Sequence, residues 1–229
     1  MKIEILGTGG GNTPEFGNTS FLIWNDDESE AVLMDCGYTV YPKLKELEET
    51  SGREIISKIK TVALSHLHND HAGSFGSLLI HCWYLQKRKI KTAGVSIDEY
   101  LKIIESARAR EGVEGIDNRI KTIPTSHEED MPSCALYFDG VLYSGDTNKS
   151  VLTTPKAKNA KIIIHEARLS HIVSHMNIDK LAESANKDIL AKTWCIHYAT
   201  KMQEEMFLRA KELGFAGVCT QNQIIPIPN

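Results

Sequence analysis

Residues 65–71 read Ser65-His66-Leu67-His68-Asn69-Asp70-His71. Three imidazoles and a carboxylate fall within six positions, directly after the apolar run Thr61 to Leu64. His66 and His68 alternate, so an extended backbone points both side chains the same way. Asp70 and His71 stand where a helix begins and turn toward a neighbouring position. Imidazole nitrogen suits zinc and metals close to it, and a carboxylate adds charge compensation. A helix-capping role would account for Asp70 alone and leave the histidines unexplained. The segment therefore predicts a metal centre built on a strand-to-helix connection.

Outward from it, short apolar runs alternate with helical patterns along the whole chain. Strands are expected at Lys2 to Leu6, Ser20 to Trp24, Ala31 to Asp35, Thr61 to Leu64 and Arg119 to Ile123. Further strands are expected at Cys134 to Phe138, Val141 to Ser144, Ile162 to His165, Thr193 to His197 and Gly217 to Cys219. Helical spacing covers Tyr41 to Glu49, His71 to Lys87, Asp98 to Arg108, Ile178 to Ile189 and Lys201 to Leu213. Asn177 is placed to cap the fourth helix and Gly214 to stop the last. Gly112 to Gly115 reads as a mobile loop. Polar residues fall just past the strands ending near Leu64, Ile123, Tyr143, Ile164 and Ile196, which gathers them at one sheet edge. The hairpin-like pair within Cys134 to Ser144 requires antiparallel neighbours. The expected fold is α/β: two mixed β-sheets packed face to face with helices outside, formed by residues 1–229 as one domain.

Composition limits the partners. A chain of 229 residues with 41% hydrophobic and 24% charged residues is that of an ordinary globular domain. A formal charge of −4 argues against a stable nucleic-acid complex, because neutralising phosphates needs a basic face. The run Lys87, Arg88, Lys89 and Lys91 reads as a solvated helix end. Five widely spaced cysteines without a CxxC pair argue against a disulfide framework and a structural zinc site. Met1 to Gly11 lacks a cationic segment followed by an apolar run, and no stretch reaches the roughly 18 apolar residues of a membrane span. A cytoplasmic location without membrane association is expected.

The cluster is an HxHxDH motif, and the chain resembles the metallo-β-lactamase superfamily along nearly its whole length. His127 follows a strand in Thr125-Ser126-His127, Asp146 lies in Ser144-Gly145-Asp146-Thr147, and His197 in Cys195-Ile196-His197-Tyr198. The opening Leu6-Gly7-Thr8-Gly9-Gly10-Gly11 is similar to that of the ribonuclease Z branch. The resemblance implies an αββα sandwich and two divalent ions, zinc first and manganese, cobalt or iron as alternatives. One ion would be held by His66, His68 and His127, the other by Asp70, His71 and His197, with Asp146 bridging. The intact His68 sets the chain apart from the redox di-iron branch. Ile162-Ile163-Ile164-His165-Glu166-Ala167 and the later His175 resemble the His-Glu-Ala element and general-acid histidine of ribonuclease Z-like enzymes. By that likeness the catalytic residues are Asp70, with His175 as the acid and Glu166 orienting it; Met176, where the branch has a small hydroxyl residue, departs from the pattern. His81 reads as structural, His171 as a residue within reach of substrate, and Asn69 and Thr147 as neighbours of the ligands.

Ribonuclease Z inserts an RNA-gripping arm between the positions of His127 and Asp146. Here Asp146 comes nineteen positions after His127 (146 − 127), enough for a strand, a turn and a strand. The compact form is most similar to the anti-Pycsar phosphodiesterases of phages and bacteria. That resemblance implies a small nucleotide substrate, the 3′,5′-cyclic phosphate of cyclic mononucleotides, cleaved in the cytoplasm (the host's, if a phage encodes it). It also implies a homodimer in which a loop of one subunit closes the other's pocket, with Arg108 to Arg119 the candidate. An armless RNA 3′-end nuclease, an ester or lactone hydrolase, and a non-catalytic module on the same fold remain as alternatives.

Overall fold

The computed structural model of the protein describes residues 1–103 and 108–228. The first half runs β1 (Lys2–Gly7), β2 (Ser20–Trp24), β3 (Ala31–Met34), α1 (Val40–Ser51), β4 (Ile59–Leu64), α2 (Asn69–Ala72), α3 (Phe75–Ile80), β5 (Ile90–Gly94), α4 (Ile97–Ile103) and β6 (Val113–Ile116). The second half runs β7 (Lys121–Pro124), β8 (Cys134–Phe138), β9 (Val141–Tyr143), α5 (Pro155–Asn159), β10 (Ile162–Glu166), α6 (Ile178–Glu183), α7 (Lys187–Leu190), β11 (Thr193–Ile196), α8 (Gln203–Leu213), β12 (Gly217–Val218) and β13 (Ile224–Pro226). One sheet has the order β13-β1-β2-β3-β4-β5-β6 and the other β12-β11-β10-β9-β8-β7. Each is mixed: β1, β2 and β3 pair antiparallel and β3 to β6 parallel, while β7, β8 and β9 pair antiparallel and β9 to β12 parallel.

The layering follows from side-chain alternation. Along β2, Phe21 and Ile23 enter the layer between the sheets, while Leu22 and Trp24 face outward onto Leu44, Phe75 and Leu78 of α1 and α3. The second sheet mirrors this. Val141, Tyr143, Ile162 and Ile164 point inward, and Leu142 and Ile163 outward onto Leu181, Met206 and Ala210 of α6 and α8. Burying one such aliphatic or aromatic side chain contributes roughly 1.5–3 kcal/mol. A strand shifted by one residue would expose its core face, so the register is fixed on both sides. The result is an αββα sandwich. Among the described residues no helix is long and apolar enough to cross a membrane.

Several elements differ from the sequence expectation. The helix expected over His71 to Lys87 breaks at Gly73 and Ser74 and closes with a π-helical turn, His81–Leu85. The helix expected over Ile178 to Ile189 divides because Asn186 caps a new one, its side chain accepting from the Ile189 N–H. Asn177 does cap α6, accepting from Asp179 and Lys180, and Gly214 ends α8 in the left-handed conformation. Asp98 to Arg108 begins as α4, and its continuation lies outside the described residues. Gly112 to Gly115 is not a loop: a 3-10 turn, Ala109–Gly112, leads into edge strand β6, paired with β5. The basic run is part of the fold as well. Arg88 donates to the carbonyls of Ile59 and Ile56, and Lys89 lies 5.2 Å from the Trp83 ring centre.

Candidate metal centre

Six strand ends meet at one edge of the sandwich. β4 delivers His66, His68, Asp70 and His71; β7 leads to His127, β9 to Asp146 and β11 to His197. β10 ends on Glu166, and β1 runs into the Gly9-Gly10-Gly11 loop. Two backbone features make the convergence possible. Gly145 turns at φ 58°, where a Cβ would fall 2.6 Å from that of Ser65, so only glycine brings Asp146 in. His197 adopts φ 65°, a costly conformation for a residue with a Cβ, and its N–H donates to Thr8 O at 3.0 Å.

Hydrogen bonds at the back of each ring assign the tautomers. Ser65 Oγ donates to Asp35 Oδ2 at 2.8 Å, so toward His66 Nδ1, 3.0 Å away, it can only accept. His71 Nδ1 donates to Asp35 Oδ2 at 2.7 Å, and His127 Nδ1 to Ser174 O at 2.8 Å. Thr19 Oγ1 donates to Gly9 O and therefore accepts from His197 Nδ1 at 3.0 Å. All four rings thus hold their Nδ1 proton against the protein and turn a free Nε2 lone pair to the centre. His68 is reversed. Its Nδ1 faces His66 Nε2 at 3.0 Å and His127 Nε2 at 3.2 Å, while its Nε2 lies 3.4 Å from Glu128.

The donors form overlapping groups within 4.8 Å: His66, His68 and His127; Asp70, His71 and His197; and His66, His71 and Asp146. Asp146 lies between them, its oxygens 3.1 Å from His197 Nε2, 3.4 Å from His71 Nε2 and 3.8 Å from His127 Nε2. His71 Nε2 and Asp146 Oδ1 are buried with no hydrogen-bond partner. Two inward-facing donor atoms left bare in a packed interior fit divalent cations and no apolar core. Burial pushes His66 and His127 below the usual histidine value, keeping both neutral and able to ligate. Burial would raise Asp146 and lower His71, but their mutual charge outweighs it. With no cation present the His71 lone pair takes a proton and Asp146, which also faces His197, stays ionised, so the position calls for positive charge.

Every expected ligand reaches this centre, and Glu166 and His175 join it. His175 Nδ1 donates to Glu166 Oε2 at 2.8 Å, and the Thr147 N–H donates to the other oxygen. His175 lines a cavity of about 290 Å³ together with His68, Asp70, His127, Asp146 and His197. Gly10 and Gly11 line its roof, where a Cβ on Gly11 would lie 3.5 Å from the Asp70 carboxylate. His81 lies elsewhere, bound by Tyr41 Oη at 2.9 Å, and His171 is exposed on a neighbouring hollow. Two residues escaped the sequence reading. Asp35 looks like a strand end, yet it is fully buried and holds both Ser65 and His71. Arg168 follows the His-Glu-Ala element directly and lines the cavity. A charged residue just past an apolar strand at this edge was the available signal for both.

This fold with this donor set defines a class: the metallo-β-lactamase fold proteins, with a candidate site for divalent cations. Within it, the chain belongs to the anti-Pycsar protein Apyc1 family, whose sequence model matches residues 1–95 and 88–225. A curated relative, Anti-Pycsar protein Apyc1 of Paenibacillus harenae, is 23% identical over 230 residues, spanning 89% of this chain and 92% of its own. Two solved structures share the fold. The metallo-β-lactamase fold protein YhfI from Bacillus subtilis has a TM-score of 0.74 at 20% identity, with 98% of each chain covered. The short form of human tRNase Z has a TM-score of 0.72 at 18% identity, with 100% of each chain covered.

Proposed function

We propose that this chain is a two-metal phosphodiesterase that opens the 3′,5′-cyclic phosphate of a cyclic mononucleotide in the cytoplasm. The observation that carries the reading is the setting of the donor cluster. It lies at the floor of a cavity of about 290 Å³, at the small end for ligand sites. The larger hollow beside it, about 840 Å³, is lined by Glu128, Glu129 and Asp130. A mononucleotide fits the first, whereas the polyanionic backbone of RNA would meet carboxylates in the second. Between His127 and Asp146 the chain has only β8, a turn and β9, with no gripping arm.

In this reading His66, His68 and His127 hold one ion, Asp70, His71 and His197 the other, and Asp146 lies between them. Nitrogen-rich donors favour zinc, and manganese accepts the same set. Such ions supply charge neutralisation at phosphoryl oxygens and make water a nucleophile near neutral pH. The protein's own part is orientation and proton transfer. Glu166, fixed by the Thr147 N–H, holds His175 so that Nε2 faces the departing ribose oxygen. Burial pushes His175 down to about 4, so the ring is neutral at rest. Its service as an acid requires the phosphate anion beside it to raise that value. A homodimer is part of the same proposal. Edge strand β6 leaves Ile116 exposed within the Arg108 to Arg119 segment, the candidate to close a partner's cavity.

The test is a substrate panel resolved by chromatography: the four 3′,5′-cyclic mononucleotides, a 2′,3′-cyclic nucleotide, a tRNA precursor and a lactone. The reading expects turnover of the 3′,5′-cyclic compounds and loss of it in His66→Ala. Cleavage of the tRNA precursor alone, or of the lactone alone, would overturn it.

A further inference from the structure

Arg168 leaves β10 two residues after Glu166, and its backbone is held on both sides. Its N–H donates to Met176 O at 2.9 Å, and its carbonyl accepts from Ile178 N at 2.9 Å and from the Asn177 side-chain amide. The root of the side chain is therefore fixed, but among the described residues its end has no hydrogen-bond or ion-pair partner. Among the described residues no carboxylate forms an ion pair with the guanidinium, although Asp70, Glu128 and Asp146 line the same cavity. Its Nε is buried without a hydrogen-bond partner.

The guanidinium points at the reaction space. A Cβ built on Gly10 would lie 3.3 Å from Arg168 Nη2 and 3.0 Å from His197 Nε2, so both groups border one small volume. Only glycine at position 10 keeps that volume open. An arginine is charged at every working pH and presents a planar fork matched to phosphate oxygens. A permanent cation with an unmet buried donor, facing an open cavity, is complementary to an anion that enters from outside. A structural arginine would instead spend its donors on the nearby carboxylates or on backbone carbonyls, as Arg53 does on Glu4 and Arg88 on Ile59.

We infer that Arg168 is a substrate-binding residue that clamps a non-bridging oxygen of the phosphodiester and so selects anionic phosphate esters over neutral esters. The inference rests on the phosphodiesterase reading and adds to it the group that recognises the phosphate charge from beside His197.

The test uses the metal-loaded protein and inorganic phosphate as the probe. Phosphate affinity is measured by calorimetry for wild type, Arg168→Gln and Arg168→Lys, with metal content determined on the same samples. Steady-state kinetics with bis(p-nitrophenyl) phosphate and p-nitrophenyl acetate accompany it. Arg168→Gln should keep its metal and bind phosphate about ten- to a hundredfold more weakly, the loss expected for a charge-assisted contact. KM for the phosphodiester should rise more than kcat falls, the neutral ester should be unaffected, and Arg168→Lys should recover part of the loss. Unchanged phosphate affinity in Arg168→Gln, an equal loss on the neutral ester, or loss of metal from both variants would each overturn the clamp. Phosphate binding that depends on Arg168 in a protein that hydrolyses no phosphodiester would keep the clamp and remove the proposed activity. Turnover with no dependence on Arg168 would do the reverse.

Discussion

Asp35→Asn should loosen the metal centre without touching a ligand. Asp35 has no solvent exposure and sits at φ 57°. Its carboxylate accepts from the Ser65 N–H at 2.7 Å, Ser65 Oγ at 2.8 Å, Tyr143 Oη at 2.8 Å and His71 Nδ1 at 2.7 Å. All four partners act as donors: burial first, and then Asp35 itself, holds the Tyr143 phenol well above its usual range and so protonated. An asparagine has one acceptor oxygen where the aspartate has two. Placed with its amide toward Ser65 N, it sets donor against donor; turned over, it opposes Ser65 Oγ, Tyr143 and His71. At least one buried donor is stranded either way. A charge-assisted bond contributes about 1.5–3 kcal/mol and a stranded buried group costs about 1–3 kcal/mol. Together these give a loss on the order of 3–5 kcal/mol, and a melting temperature lower by about 2–4 °C for each of those. Because Asp35 also fixes the tautomer of His71, metal affinity should fall about ten- to a hundredfold. Chelator competition measures the affinity and thermal melts of the stripped protein measure the stability. Tyr143→Phe, which removes only one donor, is the control and should leave metal affinity within about threefold of wild type on the same reasoning. An Asp35→Asn protein with wild-type metal affinity and wild-type melting would refute the claim that this carboxylate orients His71.

Two further outcomes follow from the geometry. His175→Ala should slow opening of a cyclic nucleotide by about 10²–10⁴ while affecting bis(p-nitrophenyl) phosphate far less, because nitrophenolate leaves without a proton; steady-state rates on both substrates check this. Away from the site, Arg119 beside Asp117, with Thr61 Oγ1 donating at 2.6 Å, holds the Asp117 carboxyl well below the usual range. A lowered carboxylate adds stability above its unfolded value of about 3.9 and loses it as pH falls toward the folded value. Asp117→Asn should therefore be less stable than wild type at pH 7, with the gap closing below about pH 4, as read from urea midpoints at both pH values.

The candidate metal donors were legible because their chemistry is crowded into one segment and then repeated after later strands. His66, His68, Asp70 and His71 need no tertiary information to look unusual, and the alternation around them gives the sandwich its faces. Asp35 showed only as a charged residue just past a strand, without its role. One aspartate beside Cys36 and Gly37 looks like a turn, and its role exists only when Ser65, His71 and Tyr143 arrive from other strands. Thr19 and the Ser174 carbonyl are hidden for the same reason, since a tautomer is set by partners distant in sequence. Three strands, two of them at sheet edges, were missed by composition. β5 begins inside a basic run, β6 follows Gly112 and contains Gly115, and β13 ends in proline, a residue that sheets accept at an edge. Arg168 was overlooked because an arginine after a strand is ordinary until its end is found beside His197 without a partner.

The central claim is that the converging histidines and aspartates hold two ions that together act on a 3′,5′-cyclic mononucleotide. Its most direct test is a titration of stripped protein with zinc and, separately, manganese, reading ions bound per chain and hydrolysis rate on the same samples. The account predicts negligible hydrolysis without metal, a rise that completes only as the second ion binds, and no rescue of His66→Ala. Full activity in the stripped protein, or none with two ions bound, would contradict it.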